Sequence, residues 1–395
     1  MWEVFLAEKE GSLPFKDLKV VETAQGVAGP HCGRILAALG ADVIKIEPPS
    51  GDWSRKLAPF LGESENIESS AIYQYNNSGK KSVILDLSVP TGISKLSDLV
   101  SKADILIEDW DLYSRRINGI STDTFTCLNP QLIEINITPF GLSGPYSDFT
   151  STPIVQLALG GYLYLTGFPN KEPLMLPGHQ PDYLAGLNAN GGIQIALYER
   201  DHTGIGQFVE IAVMETLATL HQFTMEMETY DGYIRTRNGN LWQKEGLFAN
   251  YGITTVPCLD GHVSFGVSTE DQWERLCLMI GKQEFIEYPE DWTREKRREK
   301  ADYLDSLLTE WASSRTRNEV MIEASEGWSL PTAPVLGISE VLEDPQFQYR
   351  GFFQDIDHPD IGKARFPTFP FKTTNMAPSL TRAPILGEHT KEVVG

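Results

Sequence analysis

Leu18-Lys19-Val20-Val21-Glu22, then Gly26-Val27-Ala28-Gly29-Pro30, then Gly40-Ala41-Asp42-Val43-Ile44-Lys45-Ile46: these three runs set the architecture of the chain. The first is short, apolar and β-branched, and reads as a strand. The second makes a turn, and Pro30 suits the first position of a helix because it has no N–H to pair. Ile35, Leu36 and Leu39 mark one apolar helical face, Gly40 fits the helix end, and residues 43–46 read as the next strand. So compact a strand–helix–strand unit implies parallel strands with a right-handed crossover.

The unit recurs downstream. Residues 82–87 read as a strand, 91–102 as a helix, and 105–108 and 132–138 as strands. Helical patterns cover 154–161 and 183–200. Composition changes near residue 225, where a polar, aromatic and glycine-bearing stretch (225–240) reads as a long linker. A strand at 261–267 opens a smaller region that ends near 335, and the charged run 290–300 is expected to be a solvated helix. The tail from residue 344 is rich in Pro, Gly and Phe, so it is expected to wrap over another surface rather than form its own core.

At 395 residues the chain can hold two domains and a large core. Its 54 acidic and 33 basic residues give a net charge of −21, which disfavours nucleic acid as a partner. An anionic ligand must therefore be held by local basic groups and backbone N–H donors. No apolar run reaches the roughly 18–20 residues that span a bilayer, and no secretory signal is expected from Met1-Trp2-Glu3-Val4-Phe5-Leu6. Cys32, Cys127, Cys258 and Cys277 are scattered, which suits buried free thiols in a reducing cytoplasm.

Common catalytic signatures are missing. Gly141-Leu142-Ser143-Gly144 lacks the spacing of a nucleophile elbow, and there is no Walker A, HExxH or GxGxxG. The seven histidines are dispersed with no pair at ligand spacing, so no metal site is expected.

Four segments carry a signal together. They are the Gly26–Pro30 turn continuing through Glu47-Pro48-Pro49 to Gly51-Asp52-Trp53-Ser54-Arg55; Asn76-Asn77-Ser78-Gly79-Lys80-Lys81 and the strand after it; Ala103-Asp104-Ile105-Leu106-Ile107-Glu108-Asp109-Trp110; and Phe140-Gly141-Leu142-Ser143-Gly144-Pro145-Tyr146 leading into Thr152. In this order they resemble the class III CoA-transferases, the family of formyl-CoA transferase, carnitine CoA-transferase and alpha-methylacyl-CoA racemase. The resemblance continues through Thr203-Gly204-Ile205-Gly206-Gln207 and Asp344-Pro345-Gln346 to Leu386-Gly387-Glu388-His389-Thr390, nearly the whole chain.

The resemblance implies an α/β fold with a Rossmann-like parallel sheet in a large CoA-binding domain (1–224). It further implies a linker and smaller α/β domain (225–335), and a C-terminal segment (336–395) returning to the large domain. Two such chains would thread through each other as an interlocked, ring-like dimer. Coenzyme A or an acyl-CoA would be the substrate, with no metal. Its contacts would fall on Gly26, Val27, Ala28, Lys80, Lys81, Leu85, Asp109, Trp110, Arg115 and Arg116. Bland readings stand beside these: Gly26 and Gly29 can serve only a tight turn, and Lys80 and Lys81 can be solvated surface lysines. The chain also departs from the pattern. Asp109 replaces the usual asparagine, and Asp111-Leu112-Tyr113 replaces a proline–glycine step, so two extra carboxylates should weaken binding of a polyanion.

The largest departure is Thr152. Relatives place an aspartate there, which attacks the thioester to form an acyl anhydride; CoA thiolate then yields an enzyme thioester. A threonine would form an ester, and its hydroxyl is a weak nucleophile without a paired base. Asp148 offers little prospect of rescue. Asp182 matches a position that racemase relatives use as one of two bases, or it caps a helix starting at Tyr183. The other racemase base would be a histidine where this chain has Ser151, so racemisation is disfavoured. Three readings follow. The chain is the non-catalytic half of a heteromeric CoA-transferase, partnered by an Asp-bearing paralogue, similar in kind to succinyl-CoA:(R)-benzylsuccinate CoA-transferase. Or it is a homodimeric hydratase, lyase or isomerase of CoA esters using Asp182. Or it is a non-catalytic CoA-ester binder.

Overall fold

A computed structural model describes residues 13–62, 66–240 and 251–395. Within them the chain divides into two compact units: residues 13–62, 66–160, 176–219 and 344–395 in the first, and 161–175, 220–240 and 251–343 in the second.

In the first unit β1 (Lys19–Glu22), β2 (Asp42–Glu47), β3 (Lys81–Ile84), β4 (Ile105–Glu108), β5 (Ile133–Thr138) and β6 (Phe208–Ala212) form one sheet. All its pairings are parallel, in the order β3-β2-β1-β4-β5-β6. This is the expected Rossmann-like α/β architecture. Alternate residues feed opposite faces. Val20, Val43, Ile105, Ile107, Ile133 and Ile135 pack under the helices Ala28–Ala38 and Gln180–Thr203. Val21, Ile46, Val83 and Leu106 pack on the other side with Leu96 and Val100 of the helix Pro90–Val100.

The first crossover helix begins at Ala28, two residues before the expected start, so Pro30 sits within the first turn. There its missing N–H still costs nothing. The helix ends where expected. Gly40 has φ +106°, its N–H donates to Ala37 O at 3.0 Å, and the Ala41 N–H donates to Leu36 O at 3.0 Å. These two bonds close a Schellman motif that needs the left-handed glycine.

The tail folds back on the first unit. β10 (Phe353–His358) and β11 (Gly362–Pro367) pair as an antiparallel hairpin. Ile356, Phe369 and Leu380 then pack against Ile35, Ala38 and Leu39 of the first crossover helix. Farther on, Thr390 Oγ1 accepts from the Ile84 N–H at 3.0 Å, and Val393 and Val394 join the core beside β3.

The second unit holds the antiparallel sheet β7 (Ile253–Cys258), β8 (Gly261–Gly266) and β9 (Thr332–Pro334). Trp273, Phe285, Trp292, Leu304 and Leu308 fill its core. Two sequence expectations change here. The stretch 225–240 is not all linker, because the helix Gln222–Asp231 occupies its first part. The charged run 290–300 is a short 3₁₀ turn and the brief helix Arg294–Glu299. Arg297 of that helix is buried and pairs with Glu270, so the run is not wholly solvated.

Candidate functional site

Strand order reverses between β1 and β4, and in open parallel sheets ligands bind beyond the carboxyl ends at such a point. The loops leaving these two strands are tied together. The N–H groups of Thr23 and Ala24 donate to Ile107 O at 2.8 and 3.2 Å, and the Gln25 N–H donates to Asp109 Oδ2 at 2.9 Å. Gly26 follows with φ +80°, its N–H bonded to both Asp52 oxygens at 3.0 and 3.2 Å. A Cβ there would lie 2.0 Å from the Trp53 indole, so only glycine lets this turn close against the ring. Val27 caps the helix Ala28–Ala38, and no side chain bonds the first-turn N–H groups. The N–H groups of residues 23–26 are thus taken by the protein itself, and the uncapped first turn of the helix is what this crevice offers an anion.

The side chains behind this turn differ from expectation. Lys80 does not reach out to a ligand. It is buried, and its ammonium donates to Glu22 Oε1 and Oε2 at 2.9 and 2.8 Å, Pro30 O at 2.8 Å and Asn77 Oδ1 at 3.0 Å. Burial lowers its pKa to about 8 against the pull of Glu22. Lys45, also buried, bridges Glu22 at 3.1 Å and Asp52 at 2.7 Å. Two lysines and two carboxylates thus neutralise one another beneath the Gly26 turn, which such buried charges require. Lys81 is half-exposed but pairs with Asp42 at 3.1 Å and Glu392 at 3.5 Å.

Arg115 is likewise turned inward. It pairs with Glu108 and, at 2.8 Å, with Glu134, leaving Arg116 exposed on the same helix, Leu112–Ile117. Burial pushes the Glu108 carboxyl up to about 8. Of the two extra carboxylates, Asp109 accepts from Gln25, with burial raising its pKa to about 6, and Asp111 caps the Leu112–Ile117 helix through Ser114 N at 2.7 Å. Both have local partners. Leu85 is buried in the apolar core and offers the surface nothing but backbone; its N–H donates to Glu47 O at 3.0 Å. Trp110 leans on Phe125, with ring centroids 6.2 Å apart, and its carbonyl accepts from Asn136 at 3.0 Å.

Thr152 is exposed at the N-cap of the helix Pro153–Leu159. Its carbonyl accepts from the Gln156 N–H at 3.0 Å, its hydroxyl makes no capping bond, and no base bonds that hydroxyl among the described residues. Asp182 does not cap its helix, which begins earlier, at Gln180. It lies half-buried in the first turn, with His179 Nδ1 3.0 Å from its Oδ2. The helices Ala28–Ala38 and Pro153–Leu159 both pack on Gln180–Thr203. The fold so gathers the Gly26–Ala28 turn, Thr152 and Asp182 on elements around one long helix, while Lys80 and Arg115 turn into the core.

Three residues escaped the sequence reading. His179 stands three positions before Asp182 at a helix start, a spacing that could have exposed the pair. His31 is buried, its ring 4.9 Å from that of Tyr183, and burial, with Arg34 nearby, lowers its pKa to about 4. Arg34 stacks over Tyr75 at 4.2 Å. No local pattern announces these last two contacts.

Among the described residues, no helix is long and apolar enough to cross a membrane, and no group of three or more His, Cys, Asp or Glu side chains could hold a metal. The four cysteines are free thiols, but Cys127 is exposed and Cys258 half-buried, unlike the buried set expected.

The profile of CoA-transferase family III matches residues 15–390. Succinyl-CoA:mesaconate CoA-transferase of Haloarcula hispanica is 31% identical over 388 residues, covering 96% of this chain and 95% of its own. Succinyl-CoA:(R)-benzylsuccinate CoA-transferase subunit BbsE of Thauera aromatica is 27% identical over 392 residues, covering 96% and 93%. The crystal structure of a CAIB/BAIF family protein from Brucella suis superposes with a TM-score of 0.85 at 29% identity, covering 97% of this chain and 98% of that one.

Proposed function

This chain belongs to CoA-transferase family III, and on that premise we propose that it is the non-catalytic subunit of a heteromeric CoA-transferase. The enzyme moves coenzyme A between an acyl-CoA, such as succinyl-CoA, and a carboxylic acid. An Asp-bearing paralogue supplies the nucleophile. The observation that carries this reading is Thr152, an exposed N-cap whose hydroxyl has no base beside it. Transfer of CoA through an anhydride needs a carboxylate; a threonine ester is too poorly activated to accept thiolate and pass CoA on. A relative whose name marks it as one subunit of a CoA-transferase supports the heteromer.

In this reading the CoA phosphates rest on the N–H groups at the uncapped start of the Ala28–Ala38 helix. Lys80 and Arg115 contribute only by holding the framework, since Glu22, Glu108 and Glu134 already engage them. The free thiols suit work in a reducing cytoplasm.

The His179–Asp182 pair favours a second reading, a homodimer catalysing hydration, elimination or isomerisation of a CoA ester with Asp182 as acid or base. The native mass of the complex from its source, with its subunits identified, separates the two. We expect a second family III chain with aspartate at the equivalent position. A homodimer alone overturns the heteromer, and Asp182→Asn then tests the second reading. If Asp182→Asn is silent as well, what remains is a non-catalytic CoA-ester binder.

A further inference from the structure

The tail of the first unit encloses a cavity of about 190 Å³ between the helix Pro345–Tyr349 and the segment after β11. Its walls are aromatic. Phe347 and Phe352 face it with ring centroids 5.4 Å apart, and Phe369, itself buried, completes the apolar side. A cavity near 150 Å³ holds a benzene ring, so this one admits a single six-membered ring with a small substituent.

Two cations, Arg350 and Lys372, also line it, and no carboxylate does. The Lys372 ammonium donates to the backbone carbonyl of Arg350, which ties the two lining residues together. The Arg350 guanidinium makes no hydrogen bond or ion pair among the described residues, although it is half-buried and the chain carries a net charge of −21. Elsewhere in this unit Arg55 pairs with Glu47, Lys80 with Glu22 and Arg200 with Asp104, while the buried Arg34 donates to Pro367 O and stacks on Tyr75. The Thr368 hydroxyl and N–H both donate to Phe352 O, at 2.9 and 2.7 Å, so they hold the wall in place and leave the charge to the two cations.

We propose that this cavity is a binding site for a small aromatic carboxylate, its ring between Phe347, Phe352 and Phe369 and its carboxylate on Arg350 and Lys372. A planar guanidinium donates two parallel hydrogen bonds to a carboxylate, and a phenylalanine wall favours a flat ring over an alkyl chain. The site lies in the tail, apart from the switch-point crevice, and does not depend on the CoA reading.

The test is fluorine NMR on the full-length protein with 4-fluorobenzoate. We expect saturable line broadening, about tenfold weaker binding by Arg350→Gln and by Lys372→Gln, and little binding of uncharged 4-fluorobenzamide. A factor of ten corresponds to about 1.4 kcal/mol, a modest value for one partly exposed charge contact. Neither side chain belongs to the apolar core, and a circular-dichroism melt unchanged from wild type verifies each variant's fold. Absence of broadening, equal binding by Arg350→Gln, or equal binding of the amide each overturns the proposal.

Discussion

The Lys80 ammonium lies 2.8 and 2.9 Å from the two carboxylate oxygens of Glu22, with neither side chain exposed to solvent. A lysine beside a glycine in a CoA-transferase relative invites assignment to a phosphate. Here it is committed to a carboxylate on β1 instead.

Lys80→Met should therefore unfold the protein more readily rather than merely weaken CoA binding. It leaves Glu22 to Lys45 alone in a dry interior, and breaking a buried pair costs about 3–5 kcal/mol. Urea denaturation at pH 7 reads the loss. Unchanged stability with weakened CoA affinity would return Lys80 to the ligand.

Gly33→Ala bears on the same pair from the helix side. Helix propensity alone favours alanine by about 1 kcal/mol. The new Cβ, however, would stand 1.8 Å from Glu22 Oε2 and 3.2 Å from Lys80 Cε. Overpacking of this kind costs roughly 1–3 kcal/mol, so steric crowding wins and the midpoint of denaturation should fall.

His31 should make the fold acid-sensitive. Its folded pKa of about 4 lies below the ordinary 6.5, because burial disfavours the imidazolium. The unfolded chain then binds the extra proton between these values, so stability is full above pH 6.5 and declines as pH falls toward 4. The contribution is on the order of 3 kcal/mol. Urea midpoints of wild type and His31→Gln, measured from pH 7 to pH 4, should converge toward the acid end.

Thr152→Asp should be tolerated, since aspartate caps a helix at least as well as threonine and its charge suits a helix N-terminus. We expect stability within about 1 kcal/mol of wild type. With succinyl-CoA, the variant should gain a covalent adduct detectable by intact-protein mass spectrometry, and wild type should show none. A folded variant without an adduct would mean that this chain's own site lacks more than the nucleophile.

Much of the first unit was legible because its signals are local. The β-branched apolar run of β1, the helical spacing of Ile35, Leu36 and Leu39, and Gly40 at the left-handed position each depend on neighbours within a few residues. The helix Gln180–Thr203 was legible in its body but not at its start, because His179 makes no side-chain capping bond to mark it. The 225–240 stretch misled for a similar reason. Its helix carries no strong amphipathic pattern, and composition alone resembles a linker.

The candidate site divides along the same line. By itself the sequence determined that glycines turn the chain after β1 and that a helical pattern covers 154–161, just beyond Thr152. These are properties of residue types and their spacing. Only the tertiary structure decided where the charges go. Lys80 and Glu22 are 58 residues apart, and Arg115 and Glu134 are 19 apart. A buried charge must find an opposite partner or pay desolvation, so the fold chose these partners before any ligand could.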